Sequence, residues 1–264
     1  MNPTISICII VKNEQNQIQG LLENIGDFAD ELVLVDTGST DNTVKLIEGF
    51  ITSNESKDIR LIKHFLEAGF HYGLAKNFSI QNATKDYVIV LDADERLSDE
   101  FKKNIKDFLL NERPVVASVV RKDELLPHLI DYPERIIKGN SGILYGVDDR
   151  SRVHEQLSHN IVTKKFPEVI WHQQRDNHYI IRPQRIFPQL ELQIDRVPKT
   201  KSFLGHVLRG LWYFCYRFNK IYFRRNLYKD GALGFKYAFM RSFDAFLVEL
   251  FVGLKPSRNR KFVD

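Results

Sequence analysis

Three acidic residues lie within the stretch LDADE (91–95), directly after the apolar segment YVIV. Asp92 and Asp94 are two positions apart, so on a strand their side chains share a face and can turn toward one ligand. A Mg²⁺ or Mn²⁺ ion is commonly held by one or two protein carboxylates together with substrate phosphates. The pattern therefore predicts a cation and phosphate site or, as the plainer alternative for D-x-D alone, a solvated strand end.

A further acid, Asp36, ends another apolar segment and lies in the stretch VDTGSTDNT (35–43). Gly38 permits a tight turn, and Ser39 or Thr40 is expected to cap the helix that follows. A carboxylate at this position suits a base or a ribose better than a phosphate, which it would repel. The alternative is an ordinary capped turn between strand and helix. The chain carries neither a GxGxxG fingerprint nor a Walker lysine motif.

Four nearly continuous apolar segments are typical of parallel strands that are covered on both faces of a sheet. They are ISICIIV (5–11), ELVLV (31–35), IRLI (59–62) and YVIVL (87–91). Helical patterns lie between them, Ser98 is expected to cap a further helix, and VVASVV and EVIWH indicate later strands. Strands that alternate with helices predict an open α/β sheet, which binds ligands beyond the carboxyl ends of its strands.

The composition is that of a folded chain, because 43% of the 264 residues are apolar. Cys8 and Cys215 have apolar and aromatic neighbours in the sequence, and both are predicted to be core thiols. The lack of a disulfide or zinc-ligand spacing favours a reducing compartment. The opening MNPTISICIIVKNE is expected to be a strand and not a signal peptide. No uncharged apolar segment reaches the roughly 18–20 residues that a membrane span needs.

Charge is unevenly distributed along the chain. Residues 199–264 carry 14 Lys and Arg against 4 Asp and Glu, a net charge of +10, whereas the rest of the chain carries −6. We therefore predict two domains, 1–198 and 199–264, of which the second is a basic, aromatic-rich helical extension. Such an extension suits an anionic membrane surface, or it is a pair of helices with a solvated basic face. Nucleic acid is not a predicted partner, since the body is acidic and no nucleic-acid module is recognisable.

Taken together, the segments IIVKNE, VDTGSTDNT and AKNFSIQNATKDYVIVLDADE resemble the family 2 glycosyltransferases over roughly residues 4–100. With the later segment RVHE, the chain is most similar to the bacterial subgroup that builds the lipopolysaccharide inner core, of the β-1,4-glucosyltransferase type. The resemblance implies the nucleotide-diphospho-sugar transferase (GT-A) fold, an α/β fold whose mostly parallel central sheet is flanked by helices. A C-terminal helical extension would follow it.

The resemblance also implies roles for individual residues. The segment after the first strand contacts the nucleotide, the acid after the second strand reads the uracil, and the basic–Asn pair lies near the base and diphosphate. The first acid of D-x-D contacts the ribose and the second the metal. These nucleotide-binding residues are Lys12, Asn13, Glu14, Asp36, Lys76, Asn77 and Asp92, and the metal ligand is Asp94. Relatives commonly have Arg where this chain has Lys76, and Lys keeps the charge without the planar fork.

Two later residues are expected to complete the site by the same resemblance. Glu155 in RVHEQL takes the place of the catalytic base, with Asp148 and Asp149 as rivals. His172 in IWHQQ takes the place of a second metal ligand, with His154 as an alternative. A histidine at a strand end is, however, often structural.

The function that follows is inverting, metal-dependent transfer of a hexose, glucose by the subgroup, from a UDP-sugar with Mn²⁺ or Mg²⁺. The expected acceptor is a saccharide or glycolipid of the lipopolysaccharide core or a related cell-surface glycan. The expected location is cytoplasmic, peripheral on the inner membrane through residues 199–264. Two alternatives are a non-catalytic membrane-surface binding protein on the same fold and a nucleotidyltransferase. The second lacks a glycine-rich, basic triphosphate-binding stretch near the first strand.

Overall fold

The structure, a computed structural model, describes residues 2–64, 72–147, 156–173 and 202–254. The chain divides into two compact units, one of residues 1–122 with 131–173 and one of residues 123–130 with 174–264. The predicted boundary between residues 198 and 199 lies outside the described residues, so it stays a prediction.

The first unit contains four parallel strands in the order β3-β2-β1-β4. They are β1 (Ile5–Val11), β2 (Glu31–Asp36), β3 (Ile59–Lys63) and β4 (Tyr87–Asp92). Almost every side chain of β1, β2 and β4 is buried, as expected for strands covered on both faces. Val11 is opposite Asp36, and Ile10 is opposite Asp92, so the polar strand ends meet at one edge of the sheet. The four predicted strands and the α/β class are confirmed.

The same sheet continues with strands that pair in the antiparallel sense. They are β5 (Glu95–Leu97), β6 (Val116–Asp123), β7 (Ile130–Asp131), β8 (Glu134–Lys138) and β9 (Lys164–His172). From β4 the order runs through β8, β6 and β9 to β5, with β4–β8, β6–β8 and β5–β9 antiparallel. Because β5 begins three residues after β4 ends, yet lies at the far end of this order, the sheet curls back toward the end of β4. The sequence predicted β6 and β9 but not their pairing.

Four helices belong to the first unit: α1 (Ile18–Ile25), α2 (Thr43–Thr52), α3 (Tyr72–Gln81) and α4 (Asp99–Glu112). The predicted cap of α4 is confirmed, because the Ser98 hydroxyl accepts a hydrogen bond from the backbone N–H of Phe101 at 3.1 Å. α3 differs from the usual amphipathic helix, since it buries Lys76 and Asn77 while Leu74 is 43% exposed. That reversal is the first sign that α3 serves a polar site.

The start of α2 differs from the prediction. Its N-cap is Asn42, not Ser39 or Thr40. Both expected residues bond the loop after β1 instead: the Ser39 hydroxyl accepts from the backbone N–H of Asn13 at 3.0 Å, and the Thr40 N–H donates to the Asn13 Oδ1 at 2.7 Å. The two loops are therefore tied together before the helix begins.

Besides residues 123–130, the described part of the second unit is a helical hairpin of α5 (Phe203–Phe218) and α6 (Gly231–Leu254), joined through a π-helical and a 3₁₀ turn. Between the helices, His206 Nδ1 and Arg209 Nη2 lie 3.0 and 2.8 Å from the buried carboxylate of Glu249. That carboxylate is therefore compensated, as burial requires. The predicted helical extension is confirmed.

The prediction that both cysteines are core thiols is wrong for one of them. Cys8 is buried, but Cys215 is exposed. Cys215 lies on an outward face of α5, which we call the α5 stripe. Its members recur at helical spacing and are 48% to 64% exposed: Leu204, Leu208, Leu211 and Trp212. Within the described residues, no helix is long and apolar enough to cross a membrane.

Candidate active site

A cavity of about 650 Å³ opens at the carboxyl ends of β1 and β4, and we call it the strand-end cavity. It collects residues from the loop after β1, from α3, from the turn after β4 and from the end of β9. Seven residues predicted from the sequence line it: Lys12, Asn13, Glu14, Lys76, Asp92, Asp94 and His172. Motifs separated by up to 160 residues of sequence therefore meet at one place.

Asp92, the last residue of β4, lies between two buried cations. Lys76 Nζ is 3.0 Å from its Oδ1, and Arg135 Nη2 is 2.5 Å from its Oδ2. Burial by itself raises the pKa of Asp92, but the charges and hydrogen bonds of Arg135 and Lys76 outweigh burial and hold the pKa well below its usual range. The carboxylate is therefore ionised at neutral pH.

Arg135 is a site residue that the sequence reasoning missed. It lies in β8 and is 4% exposed. Its Nη2 is also 2.6 Å from Oε1 of Glu95, an acid to which the sequence assigned no role, and Arg121 Nη1 is 3.2 Å from the same oxygen. The available signal was a charged residue beside two isoleucines in the strand-like segment ERIIK. The partners of Arg135 come from other strands, so no local sequence pattern predicts these contacts.

The predicted metal-binding pair, Asp94 and His172, comes together in the structure. His172 Nε2 is 3.4 Å from Asp94 Oδ2, and the two side chains are 26% and 28% exposed. The backbone fixes this approach, because Glu95 is opposite His172 in the β5–β9 pairing and the Gln173 N–H donates to the Asp94 carbonyl at 2.7 Å. Metal ligation by either residue stays a prediction.

The geometry of this pair fits a divalent ion. Two ligands that lie about 2.1 Å from Mg²⁺ at a right angle are about 3 Å apart, close to the observed 3.4 Å. Imidazole is a softer ligand than Mg²⁺ usually takes, which favours Mn²⁺. The part of the chain that the structure describes contains no group of three or more His, Cys, Asp or Glu that could hold a metal. Phosphate oxygens and water would therefore complete the shell.

The loop after β1 forms the rim of the strand-end cavity. Asn13 has a left-handed backbone with φ of 57°, a conformation that Asn adopts more readily than most residues. Its side chain accepts from the Thr40 N–H, and the Glu14 N–H donates to the Thr43 hydroxyl at 2.7 Å. Asn13 therefore ties two loops together, while its neighbours Lys12 and Glu14 line the cavity.

Two predicted binding residues, Asp36 and Asn77, do not line this cavity. The Asp36 carboxylate is buried and accepts from the N–H groups of Gly38 and Ser39 at 3.2 and 3.1 Å. The Asn77 amide bonds both backbone groups of Tyr145, donating at 2.9 Å and accepting at 2.7 Å. Both side chains thus hold neighbouring backbone, and nucleotide contact by either residue stays a prediction.

Asn77 thereby places Tyr145 against the site. Lys76 Nζ lies 5.5 Å from the centroid of the Tyr145 ring, within the range of a cation–π contact. Burial raises the pKa of the Tyr145 hydroxyl, partly offset by the nearby positive charges of Lys76 and Arg135. Tyr145 is therefore a neutral wall beside the buried lysine at any physiological pH.

A second cavity, of about 910 Å³, shares Lys76 and Asp92 with the first and includes Tyr132 and Gln156 in its lining. The predicted base and its alternatives lie outside the described residues: Glu155, Asp148, Asp149 and His154. The described chain resumes at Gln156, whose carbonyl accepts from the Gly146 N–H at 2.9 Å. The residue directly after Glu155 is thus anchored at the second cavity.

Comparisons with known proteins show the family to which the chain belongs. The family model described as "Glycosyl transferase family 2" matches residues 6–157. Among curated relatives, the lipopolysaccharide core biosynthesis glycosyltransferase LpsC of Rhizobium meliloti (strain 1021) is 28% identical over 135 residues, 50% of this chain and 47% of the relative. The SPbeta prophage-derived glycosyltransferase SunS of Bacillus subtilis (strain 168) is 29% identical over 157 residues, 58% of this chain and 35% of the relative. The chain thus spans less than half the length of these relatives.

Two solved structures share the fold. The mannosyltransferase PcManGT from Pyrobaculum calidifontis, in complex with GDP-Man and Mn²⁺, superposes with a TM-score of 0.51 at 17% identity, covering 75% of this chain and 66% of that one. S. aureus TarS superposes with a TM-score of 0.51 at 15% identity, covering 72% and 39%. The predicted GT-A fold is confirmed. Because the family model spans more than half of the chain and contains the ends of β1, β2 and β4, the chain belongs to glycosyl transferase family 2.

Proposed function

We propose that the protein transfers a hexose, glucose in the first instance, from a UDP-sugar to a saccharide acceptor with inversion and with a divalent metal. The observation that carries this proposal is the strand-end cavity, where Lys76, Asp92, Asp94 and His172 converge. Family membership supports glycosyl transfer. The partly exposed Asp94–His172 pair supports the metal, and the cation Lys76 in the same cavity supports an anionic diphosphate.

The chemistry divides among the residues of this chain. Cleavage of the anomeric C–O bond leaves negative charge on the departing diphosphate, and Lys76 is placed to stabilise charge at that edge of the sheet. A divalent ion, when bound, supplies Lewis-acid stabilisation of the same group. Glu155 accepts the proton of the acceptor hydroxyl as that oxygen attacks the opposite face of the sugar, which inverts the anomeric centre.

The decisive experiment is a donor screen. The purified protein is incubated with Mn²⁺ and a panel of UDP-, GDP- and CDP-sugars, and released nucleotide is measured. We expect UDP-glucose to be turned over fastest. GDP-sugars are the sharpest competitors, since PcManGT was solved with GDP-Man. Release from no donor would favour a non-catalytic binding protein, and full activity in EDTA would remove the metal from the proposal.

Two variants test the roles proposed for Asp94 and Glu155. Glu155→Gln is expected to lower turnover by about 10²–10⁴-fold, the usual contribution of a positioned base. Asp94→Ala is expected to nearly abolish turnover, because it removes a proposed ligand of the divalent ion. Glu112→Gln is the control, because Glu112 forms an exposed ion pair with Lys164 outside both cavities and should leave turnover unchanged. Near wild-type turnover in either site variant would remove that residue from the mechanism.

The acceptor proposed is a saccharide or glycolipid of the lipopolysaccharide core or a related cell-surface glycan. Its support is the similarity to LpsC, which carries lipopolysaccharide core biosynthesis in its name. The test offers truncated core saccharides, free and lipid-linked, with the best donor from the screen. Donor hydrolysis without transfer to any of them would refute this acceptor class while leaving the donor assignment intact.

We also propose peripheral contact with the anionic cytoplasmic face of the inner membrane through the second unit. The α5 stripe is apolar and outward, and residues 199–264 carry a net charge of +10, a combination typical of interfacial helices. Leu208→Glu with Trp212→Glu should weaken binding to phosphatidylglycerol vesicles by more than tenfold, since each apolar side chain contributes about 1.5–3 kcal/mol. The control is Val162→Glu, 84% exposed in the first unit. Equal loss in the control, or none in the double variant, would contradict the proposal.

A further inference from the structure

Glu95, the last acid of LDADE, is completely buried, and its carboxylate accepts hydrogen bonds from three donors. Its Oε2 accepts from the Asp92 N–H at 3.0 Å. Its Oε1 accepts from Arg135 Nη2 at 2.6 Å and from Arg121 Nη1 at 3.2 Å. A buried carboxylate is costly without such partners, so these contacts decide how the turn and the two arginines are arranged.

The contact with Asp92 closes the turn that carries the candidate site. Because the Glu95 side chain bonds the N–H three residues back, it fixes the backbone between Asp92 and Asp94. Glu95 also lies opposite His172 in the β5–β9 pairing. The same residue therefore sets where Asp92, Asp94 and His172 stand relative to one another.

The contacts with arginine determine the charge of the site. Arg135 Nη2 is shared between Glu95 and Asp92, and Arg121 is shared between Glu95 and Asp131, at 2.6 Å from the latter. The result is a chain of alternating charge, three positive and three negative: Lys76, Asp92, Arg135, Glu95, Arg121 and Asp131. If Glu95 lost its charge, the chain would carry a net charge of +1 and Arg135 would depend on Asp92 alone.

We propose that Glu95 is a positioning residue for the transfer reaction. It fixes the Asp92–Asp94 turn and holds Arg135, the buried cation that it shares with Asp92, so that the two aspartates are held in fixed positions toward metal and donor. The inference rests on the proposed function. Residues that orient metal ligands through hydrogen bonds commonly alter metal affinity or activity about 10–100-fold when they are replaced.

The test is Glu95→Gln, which keeps the shape of the side chain and an oxygen but removes the charge. We expect kcat/KM for the donor to fall about 10–100-fold, and the Mn²⁺ concentration for half-maximal activity to rise by a similar factor. Mn²⁺ binding in the presence of UDP, followed by electron paramagnetic resonance, gives the same comparison without turnover. The double variant Glu95→Gln/Arg121→Gln restores the neutral sum and should recover most of the lost Mn²⁺ affinity, whereas no recovery would refute the part of the proposal that rests on charge.

The chain offers a matched control in Glu31. This carboxylate is 1% exposed and is compensated by Arg60, Ser6 and Thr84, but it lies at the amino-terminal edge of the sheet, away from the strand-end cavity. Glu31→Gln should lower stability as Glu95→Gln does, while the Mn²⁺ requirement and the donor KM of the folded protein stay at wild-type values.

The outcomes separate the two proposals. If wild type is active and Glu95→Gln matches Glu31→Gln in Mn²⁺ binding and kcat/KM, then Glu95 is only structural and the positioning role is refuted. If wild type neither binds Mn²⁺ with UDP nor turns over any donor, the proposed function fails and this inference fails with it. If Glu95→Gln does not fold, Glu95→Asp keeps the charge and shortens the arm. Wild-type Mn²⁺ affinity in folded Glu95→Asp would then refute a role in setting the turn.

Discussion

Replacing Asp92 with Asn tests the electrostatic description of the site most directly. The substitution preserves the shape of the side chain and removes one charge between Lys76 and Arg135. Both cations are 5% exposed in their side chains, so neither can recover its interaction from water. One amide oxygen can still accept from one cation, whereas the amide NH₂ must face the other. We therefore expect Asp92→Asn to destabilise the first unit.

The expected loss of stability depends on the interactions that Lys76 and Arg135 keep in the variant. Removing one partner of a buried ion pair typically costs about 3–5 kcal/mol. Arg135 retains Glu95, and Asp92 itself is 32% exposed, which places the expected loss near the lower end, at about 3 kcal/mol. For a domain of this size, such a loss lowers Tm by roughly 6–12 °C. Because the folded-state pKa of Asp92 is depressed, its contribution is present above the unfolded pKa of about 3.9 and is lost as pH falls through the folded value.

Intrinsic fluorescence can follow this unit alone. The chain has two tryptophans, Trp171 in β9 and Trp212 in α5, so a Trp212→Phe background leaves a reporter in the unit that contains Asp92. The free energy of unfolding in urea is then measured at pH 7 and at pH 3, for the Trp212→Phe background and for the same protein carrying Asp92→Asn. The difference between the two proteins is compared at the two pH values. We expect a large difference at pH 7 that narrows at pH 3. Equal stability at pH 7, or a difference that does not narrow in acid, would refute the arrangement of Lys76, Asp92 and Arg135 described above.

Three further predictions concern the surroundings of the site. Asn77→Ala should cost about 1–3 kcal/mol and lower donor turnover, since both backbone groups of Tyr145 lose a buried partner; urea unfolding and donor assays check it, and unchanged values would contradict it. In native protein only Cys215 should react rapidly with Ellman's reagent at pH 8, because burial raises the pKa of the Cys8 thiol to about 12; two fast thiols per chain would disprove this. Ser98→Ala should lower stability by about 1 kcal/mol in urea unfolding through the lost cap of α4, with turnover unaffected.

The sequence predicted the parallel half of the fold well, for a physical reason. Apolar segments such as ELVLV must be buried on both faces, which leaves few arrangements other than a covered parallel sheet. That geometry brings the carboxyl ends of the strands to one edge, so Asp92, Asp94 and Lys12 could be grouped from the sequence alone. His172 joined them only because the curled sheet carries β9 back to the turn after β4, a result that the resemblance anticipated and local pattern did not.

The parts that could not be predicted depend on contacts between distant segments. Arg135 and Glu95 lie 40 positions apart, and the residues next to each of them in the sequence do not identify its partner. The hydrogen bonds of Asp36 and Asn77 with nearby backbone were likewise not predicted, while the expected nucleotide contact of both residues stays a prediction. The exposure of Cys215 was also missed. Its aromatic neighbours in the sequence suggested a core position, but they lie on an outward face of the helix.

The two ends of the sheet show what distinguishes a site from a structural charge cluster. At the amino-terminal edge, Glu31 is sealed by Arg60 and the hydroxyls of Ser6 and Thr84, and although burial raises its pKa, the hydrogen bonds from those partners leave it below the usual value. At the carboxyl edge, Glu95 is sealed in the same way, by two arginines. A compensated buried acid is therefore no sign of function by itself.

The carboxyl edge differs from the amino-terminal edge in the pair of residues that lies between the buried acid and the cavity. Asp94 and His172 are each more than a quarter exposed, face the strand-end cavity, and stand 3.4 Å apart on backbone that the Glu95 cluster holds in place. A cluster that only stabilised the fold would gain nothing from leaving a carboxylate and an imidazole open to solvent beside a cavity. A sealed acid behind an open one is the arrangement we expect of the proposed site, which would hold an ion and a diphosphate without reorganising.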